Sequence, residues 1–176
     1  MTFINTAVDL QSLPAAEDVA LQPVHPAYKK VLRTEWAFTL LIFIALAIVC
    51  IVVFPFFRQP AGWIALTLGV ALIGLFYYLW IENSFPFLAF AIREKDILLQ
   101  SGWIVRTVKH CPFNRIQNCS VQSGPLERRF GLASLVIYTA GSGGADLRLR
   151  GLLQEDADRF RHFILETIHQ EPDADN

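Results

Sequence analysis

Charged residues are scarce in this chain, and the scarcity is unevenly spread. Lys, Arg, Asp and Glu make up 18% of the 176 residues, whereas hydrophobic residues make up 53%. Two stretches, residues 36–57 and 63–81, contain no Asp, Glu, Lys, Arg or His. Transporters and proton relays usually place such groups at membrane depth. The absence therefore argues against a transport pathway and for a membrane anchor.

Cysteine is also sparse. Cys50, Cys111 and Cys119 form no C-x-x-C pair and no even-numbered framework, which is typical of a reducing compartment. A zinc site built on His110, Cys111 and Cys119 would lack a fourth ligand at the usual spacing. The sequence therefore predicts no metal site.

Motifs that carry catalysis are missing as well. The chain contains no G-x-S-x-G and no H-E-x-x-H. The glycine-rich segment at residues 139–145 lacks the G-K-[ST] ending of a phosphate loop and lies between two predicted strands, which favours a hairpin turn. Basic residues alternate with acidic ones, and no motif of base-stacking aromatic residues is present. We expect neither an enzyme, nor a cofactor, nor a nucleic-acid partner.

The first 24 residues contain no Lys or Arg but three acidic residues. A secretory signal needs a basic start followed by an apolar run. Pro14 and Pro23 interrupt the segment, so we expect residues 1–27 to be a flexible acidic tail. Residues 170–176 are predicted to be a second acidic tail.

The two uncharged stretches are long enough to cross a membrane. As helices, residues 36–57 and 63–81 would be about 33 Å and about 29 Å long, against a bilayer core of roughly 30 Å. Neither has a polar face, so a small soluble domain could not bury them on all sides. A five-residue connection predicts a transmembrane hairpin within residues 28–84. Ala65 and Gly69 would offer the neighbouring helix a groove of small residues.

Basic residues flank the predicted hairpin on one side. Arg58 is the only basic residue in the turn between the spans. By the positive-inside rule, both chain termini are expected to be cytoplasmic. The basic residues at the open end of the hairpin are Lys29, Lys30, Arg33, Arg93 and Lys95.

From residue 88 onward the pattern changes to short strands separated by turn signals. In "DLRLR", Leu147 and Leu149 are expected to point inward and Arg148 and Arg150 outward. Ile116 is out of phase with the alternation that follows it, which suggests a β-bulge. The strand-like segments are residues 88–92, 96–100, 103–110, 115–122, 132–140 and 146–152.

After Gly151 the apolar period becomes helical. A stripe at three- and four-residue steps predicts one amphipathic helix, which Pro172 would end. Six or seven antiparallel strands followed by this helix predict an α+β domain, a strongly bent sheet capped by a helix. The members of the stripe are Ala157, Phe160, Phe163, Ile164 and Ile168.

The segment from Phe87 to Ile168 resembles the bacterial pleckstrin-homology-like domain, the bPH2 or YdbS-like type of small membrane protein. The family pattern is P-x-x-R-I-Q, Q-G-P-L-x-R-x-F-G-L, a strand ending T-A-G, and G-L-x-x-x-x-A, with Ser123 inserted here between Gln122 and Gly124. The matching residues are Pro112, Arg115, Ile116, Gln117, Gln122, Gly124, Pro125, Leu126, the arginine pair Arg128 and Arg129, Phe130, Gly131, Leu132, Thr139, Ala140, Gly141, Gly151, Leu152 and Ala157.

The resemblance implies a bacterial inner-membrane protein with a two-helix anchor. It also implies a partly open antiparallel β-barrel, closed by the C-terminal helix, at residues 85–169. It carries over no catalytic residues. Pleckstrin-homology domains that hold phosphoinositides use a basic first hairpin. The equivalent turn here, Arg93 to Asp96, has a net charge of zero, so no phosphoinositide-binding residues are carried over.

The charge of the chain is separated between two segments. Residues 93–150 carry nine basic and four acidic side chains, a net charge of +5, whereas residues 154–176 carry a net charge of −5. A basic barrel below an anionic leaflet would be attracted to it by about 1 kcal/mol per Lys or Arg near the surface. The candidate contacts with anionic lipid or a partner are Arg106, Lys109, Arg128 and Arg129.

Two functions are compatible with an anchor joined to an interaction fold. The first is a non-enzymatic membrane protein whose barrel docks partner proteins, in particular membrane proteins with the same type of domain. The second is a module that senses anionic lipid head groups. An accessory subunit of a transport or export complex is a further alternative.

Overall fold

The computed structural model describes residues 20–139 and 145–170. Two long helices come first, α1 at Ala27–Val53 and α2 at Pro60–Ser84. At 1.5 Å per residue they are about 40 Å and about 37 Å long, so each exceeds the roughly 30 Å core of a bilayer. Each helix therefore has enough length to extend beyond the membrane at the end where the sheet domain begins.

The turn between the helices differs from the predicted one. Residues 54–57, expected to end the first span, lie outside α1, and Pro55–Arg58 form a 3₁₀ turn. Pro55 has no N–H to continue the helix, whereas Pro60 suits the first position of α2. Gly62 packs so closely on the turn that an added Cβ would lie 2.7 Å from the Phe56 carbonyl oxygen.

The helix pair packs at a different glycine from the one expected. A Cβ at Gly74 would lie 2.9 Å from Leu40 Cδ1, and the Trp36 indole N–H donates to the Gly74 carbonyl at 2.9 Å. A Cβ at Gly69 would meet nothing within 4 Å. The prediction that Ala65 and Gly69 form the groove for α1 is therefore wrong at Gly69.

Most large apolar side chains of the two helices are exposed to the surroundings. The hydroxyls of Thr39 and Thr67 donate to the carbonyls of Glu35 and Trp63, four residues earlier. Apolar surface on the outside, with hydroxyls satisfied by the helix itself, suits hydrocarbon and not water.

Within the described residues, seven strands form two antiparallel sheets, in the orders β1-β2-β3-β4 and β5-β6-β7. A short helix, α3, at Pro125–Arg129 precedes β6, and α4 at Gln154–Gln170 follows β7. The sheets are not closed into a full barrel, which confirms the predicted α+β, partly open fold. The strands are β1 Gln22–Pro23, β2 Ala89–Ile92, β3 Asp96–Ser101, β4 Thr107–Pro112, β5 Ile116–Gln122, β6 Leu132–Thr139 and β7 Ala145–Leu153.

Six strands lie within two residues of their predicted bounds, except at the start of β4. Residues 103–106, expected to begin a strand, form a turn, and β4 starts at Thr107. Gly102 has φ +97°, and a Cβ there would lie 2.0 Å from the Val105 carbonyl oxygen. Because only glycine tolerates that conformation and that contact, the chain reverses here despite the strand-forming residues that follow.

Periodicity predicted the inward faces correctly. Leu147 and Leu149 are buried, whereas Arg148 and Arg150 are exposed. The register of β5 on β6 shifts after Ile116, which confirms the bulge and explains how Ile116 becomes buried. The interior of the sheet domain is filled mainly by branched aliphatic side chains. Its most completely buried members are Ile97, Leu132, Leu135, Ile137, Leu149 and Ile164.

Helix α4 covers this interior through the predicted stripe. Ala157 and Ile164 are fully buried, and the rings of Phe160 and Phe163 contact those of Phe90 and Phe113 edge to face. The glycine turn expected at residues 141–144, residues 1–19 and residues 171–176 lie outside the described residues.

The chain before α1 is part of the sheet domain. Gln22 and Pro23 pair with Phe90 and Ala89, although both fall in the segment expected to be a tail. Pro23 is tolerated because this strand lies at an edge of the sheet. Val24 is buried in the same core as Tyr28 and Val31 from the first turns of α1. The segments on either side of the helix pair therefore meet.

Candidate functional site

The first turn of α1 docks against β7 at a single glycine. Gly151 has φ +72°, and a Cβ there would lie 2.7 Å from Tyr28 Cγ. The His25 N–H donates to the Gly151 carbonyl oxygen at 2.9 Å. The glycine of the G-L pair in the family pattern is therefore the residue on which α1 packs. This contact sets the position of the sheet domain relative to the helices.

A second contact ties the same ends of the two helices together. The Glu82 carboxylate in α2 accepts from Lys29 at 2.6 Å and from Arg33 at 2.6 Å in α1. Two of the basic residues that set the predicted orientation are therefore neutralised by a carboxylate from the neighbouring helix. Because all three groups are partly exposed, this cluster orients the helix ends more than it stabilises them.

Between the helix ends and the sheets lies a cavity of about 590 Å³. One wall is apolar and aromatic and comes from the ends of the helices, and it includes Leu32, Tyr77, Trp80 and Ile81. The opposite wall comes from β3, β4 and β7 and carries two kinds of cationic group. The cationic side chains on that wall are Lys109, Arg148 and Arg150.

These cations have no acidic partner within ion-pair distance among the described residues. Arg150 lies close enough to Tyr28 for a side-chain hydrogen bond. Ser84, on the helix side, has a buried hydroxyl without a hydrogen-bond partner in the described structure. Among the described residues, the cavity therefore presents three cationic groups without an ion-pair partner.

Arg148 and Arg150 also line a second cavity of about 430 Å³ on the α3 side. Its wall includes Glu35 and the buried Glu127. Glu127 is already occupied, because it accepts from the Gly124 N–H at 2.9 Å and from the Ser134 hydroxyl at 2.7 Å. Through these bonds Glu127 holds the corner that contains the G-P-L-x-R motif, so that part of the family pattern has a structural role.

The four basic residues selected from the sequence do not form one site. Lys109 lies in the larger cavity, whereas Arg128 and Arg129 are exposed on α3 and line neither cavity described above. The Arg106 guanidinium lies 4.8 Å from the centre of the Phe87 ring, in the linker between α2 and β2. The structure therefore groups Lys109 with two arginines that the selection left out.

Sequence reasoning missed Arg148 and Arg150 although it placed both correctly on the outer face of β7. The alternation in "DLRLR" shows that these two side chains point away from the core. It does not show which part of the molecule they face. Only the docking of Tyr28 on Gly151 turns that face toward the helix ends. A juxtamembrane position for β7 could not be obtained from the local pattern.

The turn at Arg93 to Asp96 is neutralised within itself. Asp96 is paired with Arg93 and lies 2.6 Å from the His110 ring. The hydrogen bond from Arg93, followed by that from His110, lowers the pKa of Asp96 below its usual range. Arg93 therefore presents no free charge of the kind that phosphoinositide-binding hairpins use.

The residues considered for zinc have other neighbours. His110 contacts Asp96, and the buried Cys119 thiol lies 3.8 Å from the Arg161 carbonyl oxygen of α4. Burial raises the pKa of the Cys119 thiol. Across residues 20–139 and 145–170, no cluster of three His, Cys, Asp or Glu side chains could hold a metal ion.

The polar groups that line the larger cavity are suited to holding an anion. Its lining contains guanidinium, ammonium and hydroxyl groups but neither a carboxylate nor an imidazole. Such groups hold an anion through charge-assisted hydrogen bonds. A proton acceptor suited to general base catalysis is not among the lining residues.

Comparison with known proteins gives two matches. The model of the bacterial PH domain family matches residues 31–168. The UPF0699 transmembrane protein YdbS of Bacillus subtilis (strain 168) is 32% identical over 122 residues, which cover 68% of this chain and 75% of the relative. No solved structure matches. The matched range runs from α1 to α4, so both the helix pair and the sheet domain fall within it.

Proposed function

The chain belongs to the bacterial PH domain family, and on that premise we propose that it is a membrane-anchored module that binds an anionic lipid head group in the cavity between its helix ends and its sheets. The family resemblance read from the motifs is confirmed. The protein is a membrane protein of YdbS type, with two apolar helices followed by the PH-like domain. Neither the family nor the relative is described as an enzyme, and the proposed role is non-enzymatic.

The proposed orientation puts the sheet domain and both chain ends in the cytoplasm, in the inner membrane of a bacterium. The support is the excess of basic residues at the open end of the hairpin over the single Arg58 at its turn. Trp36, Tyr77 and Trp80 lie at the same end, where aromatic residues are enriched at membrane interfaces. In this orientation the cavity opens at the depth of the inner head groups.

The observation that carries the proposal is the distribution of polarity within that cavity. Its helix side is apolar and continuous with the spans, while its sheet side presents Lys109, Arg148 and Arg150. An anionic phospholipid has the same division, with acyl chains next to a phosphate. Basic pockets at the cytoplasmic ends of transmembrane helices bind acidic head groups, and each nearby cation contributes about 1 kcal/mol.

The test uses the full chain, because a fragment starting at Phe87 would lack the core residues Val24, Tyr28 and Val31. Protein in nanodiscs containing phosphatidylglycerol and phosphatidylcholine is transferred to mild detergent, and retained lipid is counted by native mass spectrometry. We expect selective retention of phosphatidylglycerol that weakens as salt rises. The variant Lys109→Gln, Arg148→Gln, Arg150→Gln should lose this selectivity.

A matched control removes the same number of charges elsewhere. Lys95→Gln, Arg128→Gln, Arg129→Gln changes three exposed cations that line neither of the two cavities. Its lipid selectivity should equal that of the unmodified protein. If both variants lose lipid selectivity equally, the selectivity results from general charge attraction. If the cavity variant loses none, the cavity is not the site.

Docking of a partner protein, the function favoured by the sequence, has a separate observation in its support. Among the strands that the structure describes, β4 lies at an edge of its sheet and pairs with β3 alone, and its residues Thr107 to His110 are exposed. An exposed edge can accept a strand from another chain. We propose a membrane protein with a domain of the same type as the partner. An accessory role in a transport or export complex is a separate alternative, which co-purification in mild detergent would test.

Site-specific crosslinking tests this second proposal. A photoreactive residue at Val108, on the exposed edge, should capture a strand of a PH-like domain in native membranes, with the crosslinked peptide identified by mass spectrometry. The same residue at Glu94, in the turn beyond the opposite end of β3, is the control. Capture at neither position would count against docking at this edge.

A further inference from the structure

We propose that the turn between β3 and β4, residues Gly102 to Arg106, is a second membrane attachment that inserts its apolar side chains into the cytoplasmic interface of the bilayer. This turn is called the hairpin tip below. The inference depends on the two spans and on no ligand in the cavity, so it goes beyond the proposed function.

The hairpin tip exposes an unusual amount of apolar surface for a turn. Ile104 and Val105 expose 70% and 73% of their surface, and Trp103 exposes 39%. Turns in water are normally built from small and polar residues. Single exposed apolar residues are common on protein surfaces, but a contiguous group of large ones marks a surface that contacts protein or membrane.

Two contacts place the hairpin tip beside the C-terminal end of α2, where the helix meets the sheet domain. The Trp103 ring packs edge to face against Trp80, the last aromatic residue of the second span, with centroids 6.0 Å apart. Arg106 lies over the ring of Phe87, which follows α2 directly. Trp80 itself belongs to the row of aromatic residues expected at the interface. The apolar surface of the tip is therefore continuous with that of the transmembrane helix.

The path of the backbone at the hairpin tip requires a glycine at its first residue. The positive φ of Gly102 and its close approach to the Val105 carbonyl allow no side chain at that position. In this conformation Ile104 and Val105 lie outside the sheet, because β4 starts at Thr107. Trp is suited to the interface because its ring is apolar and its N–H can reach water, and Arg106 can extend its guanidinium toward phosphates.

The membrane is the occupant that these observations select over a second protein chain. The surface lies next to the span itself, and it combines an aromatic belt residue, two aliphatic residues and one cation, which is the composition of interfacial anchors. Two helices and the hairpin tip together would hold the sheet domain at three points. Such an attachment would keep the mouth of the cavity at a constant depth.

The test compares the two ends of the same strand. A single cysteine is introduced by Ile104→Cys or, as control, by Glu94→Cys in the charged turn before β3. The six residues of β3 separate the two positions by about 20 Å. Each protein is labelled with an environment-sensitive fluorophore in nanodiscs, and the unmodified chain, with Cys50, Cys111 and Cys119, measures background labelling.

Quenching then reports where each probe lies. At position 104 we expect strong quenching by lipids with a nitroxide near the top of the acyl chain and several-fold weaker quenching by iodide in water. At position 94 we expect the opposite result, with strong quenching by iodide and weak quenching by the lipid nitroxide. If iodide quenches both probes equally, the hairpin tip lies in water and the inference fails. Protection from iodide without quenching by lipid would mean that protein covers the tip, which also overturns it.

A second variant tests whether the apolar pair causes the attachment. With the probe at Thr107→Cys, we expect lipid quenching in the unmodified tip and a marked reduction when Ile104→Ser and Val105→Ser are added. Both replaced side chains are exposed, so the fold should not depend on them. Unchanged lipid quenching at position 107 would contradict insertion through these two residues.

Discussion

Leu72 in α2 and Leu135 in β6 are the same side chain in two environments. Leu72 exposes 57% of its surface, whereas Leu135 exposes none. In water an exposed leucine loses the gain from burial, but in a bilayer its surroundings are as apolar as a protein core. The difference teaches that the helix pair and the sheet domain are built for two solvents and need different contacts to hold them together.

Polar groups follow the same division. In the helix pair, ion pairs are found at the open end, between Glu82 and the basic residues of α1. In the sheet domain, the buried Glu127 is held by hydrogen bonds from neutral donors. Each arrangement avoids leaving a charge in an apolar environment without partners.

The largest effect should come from repeating one substitution in both environments. Leu135→Ala removes buried methyl groups and should lower the free energy of unfolding of the sheet domain by about 2–5 kcal/mol. Leu72→Ala leaves a gap that lipid can fill, and its effect should be far smaller. Thermal unfolding in mild detergent measures both. Comparable losses at the two positions would mean that α2 is buried by protein, contrary to the comparison.

The junction between the two regions gives the next effect. Alanine at Gly151 must adopt a left-handed conformation, which costs roughly 1–2 kcal/mol, and its Cβ would collide with Tyr28. Gly131→Ala is the matched control, because Gly131 has φ +68° but open space around a Cβ. We expect Gly151→Ala to lower the melting temperature more than Gly131→Ala does.

The added Tyr28→Ala substitution removes the ring from the collision and leaves the Cβ of residue 28. If the collision is real, Gly151→Ala should cost less in the Tyr28→Ala background, but still more than Gly131→Ala, because the Cβ of residue 28 remains 2.8 Å from the added Cβ. The junction should also become sensitive to protease near residues 23–27 in the Gly151→Ala variant alone. Equal melting temperatures and equal protease sensitivity of the two glycine variants would show that α1 does not depend on packing against Gly151.

Within the sheet domain, the buried Glu127 gives a smaller effect. Glu127→Gln keeps the shape but leaves a single good acceptor for the Gly124 N–H and the Ser134 hydroxyl. An unsatisfied buried donor costs about 1–3 kcal/mol. In the Ser134→Ala background one donor is gone, so the same substitution should cost less. Additive losses, measured by chemical unfolding, would show that the two donors are not coupled through Glu127.

The comparison also explains what could be predicted from the sequence. The spans were predictable because a run without charge and without a polar face has few soluble alternatives. The strands and α4 were predictable because their burial follows a period of two or of three to four residues. The shared motif residues then indicated the family, although Gly131 and Gly151 show that they serve backbone geometry and docking.

The errors occur where distant segments meet. Strand β1 has only two residues, so it shows no period, and Pro23 is usually a sign against a strand. Trp103 to Val105 have strong strand propensity, but the conformation of Gly102 makes them a turn. Arg148 and Arg150 were placed on the correct face, yet the cavity they line exists only after α1 docks on β7. Local patterns contain no information about these tertiary contacts.

The smallest effect should come from the charged turn at Asp96, on the water side of the sheet domain. The pKa of Asp96 is lowered, first by Arg93 and then by His110, so its stabilising contribution is present above the ordinary Asp pKa of about 3.9. This contribution should be lost as the pH falls through the lowered pKa of the folded state. Asp96→Asn should therefore be slightly less stable than the unmodified chain at neutral pH.

The two unfolding curves should converge at acid pH, because the carboxyl is then protonated in the folded and unfolded states alike. His110→Asn, which keeps Arg93 as a partner, should show an intermediate difference, since His110 is the second cause of the lowered pKa. Chemical unfolding at a series of pH values below 7 measures these differences. A gap between Asp96→Asn and the unmodified chain that stays constant down to the lowest pH would place its cause in packing and not in charge. In that case the charges of this turn would not affect stability, although charge is what distinguishes it from the apolar hairpin tip at the other end of β3.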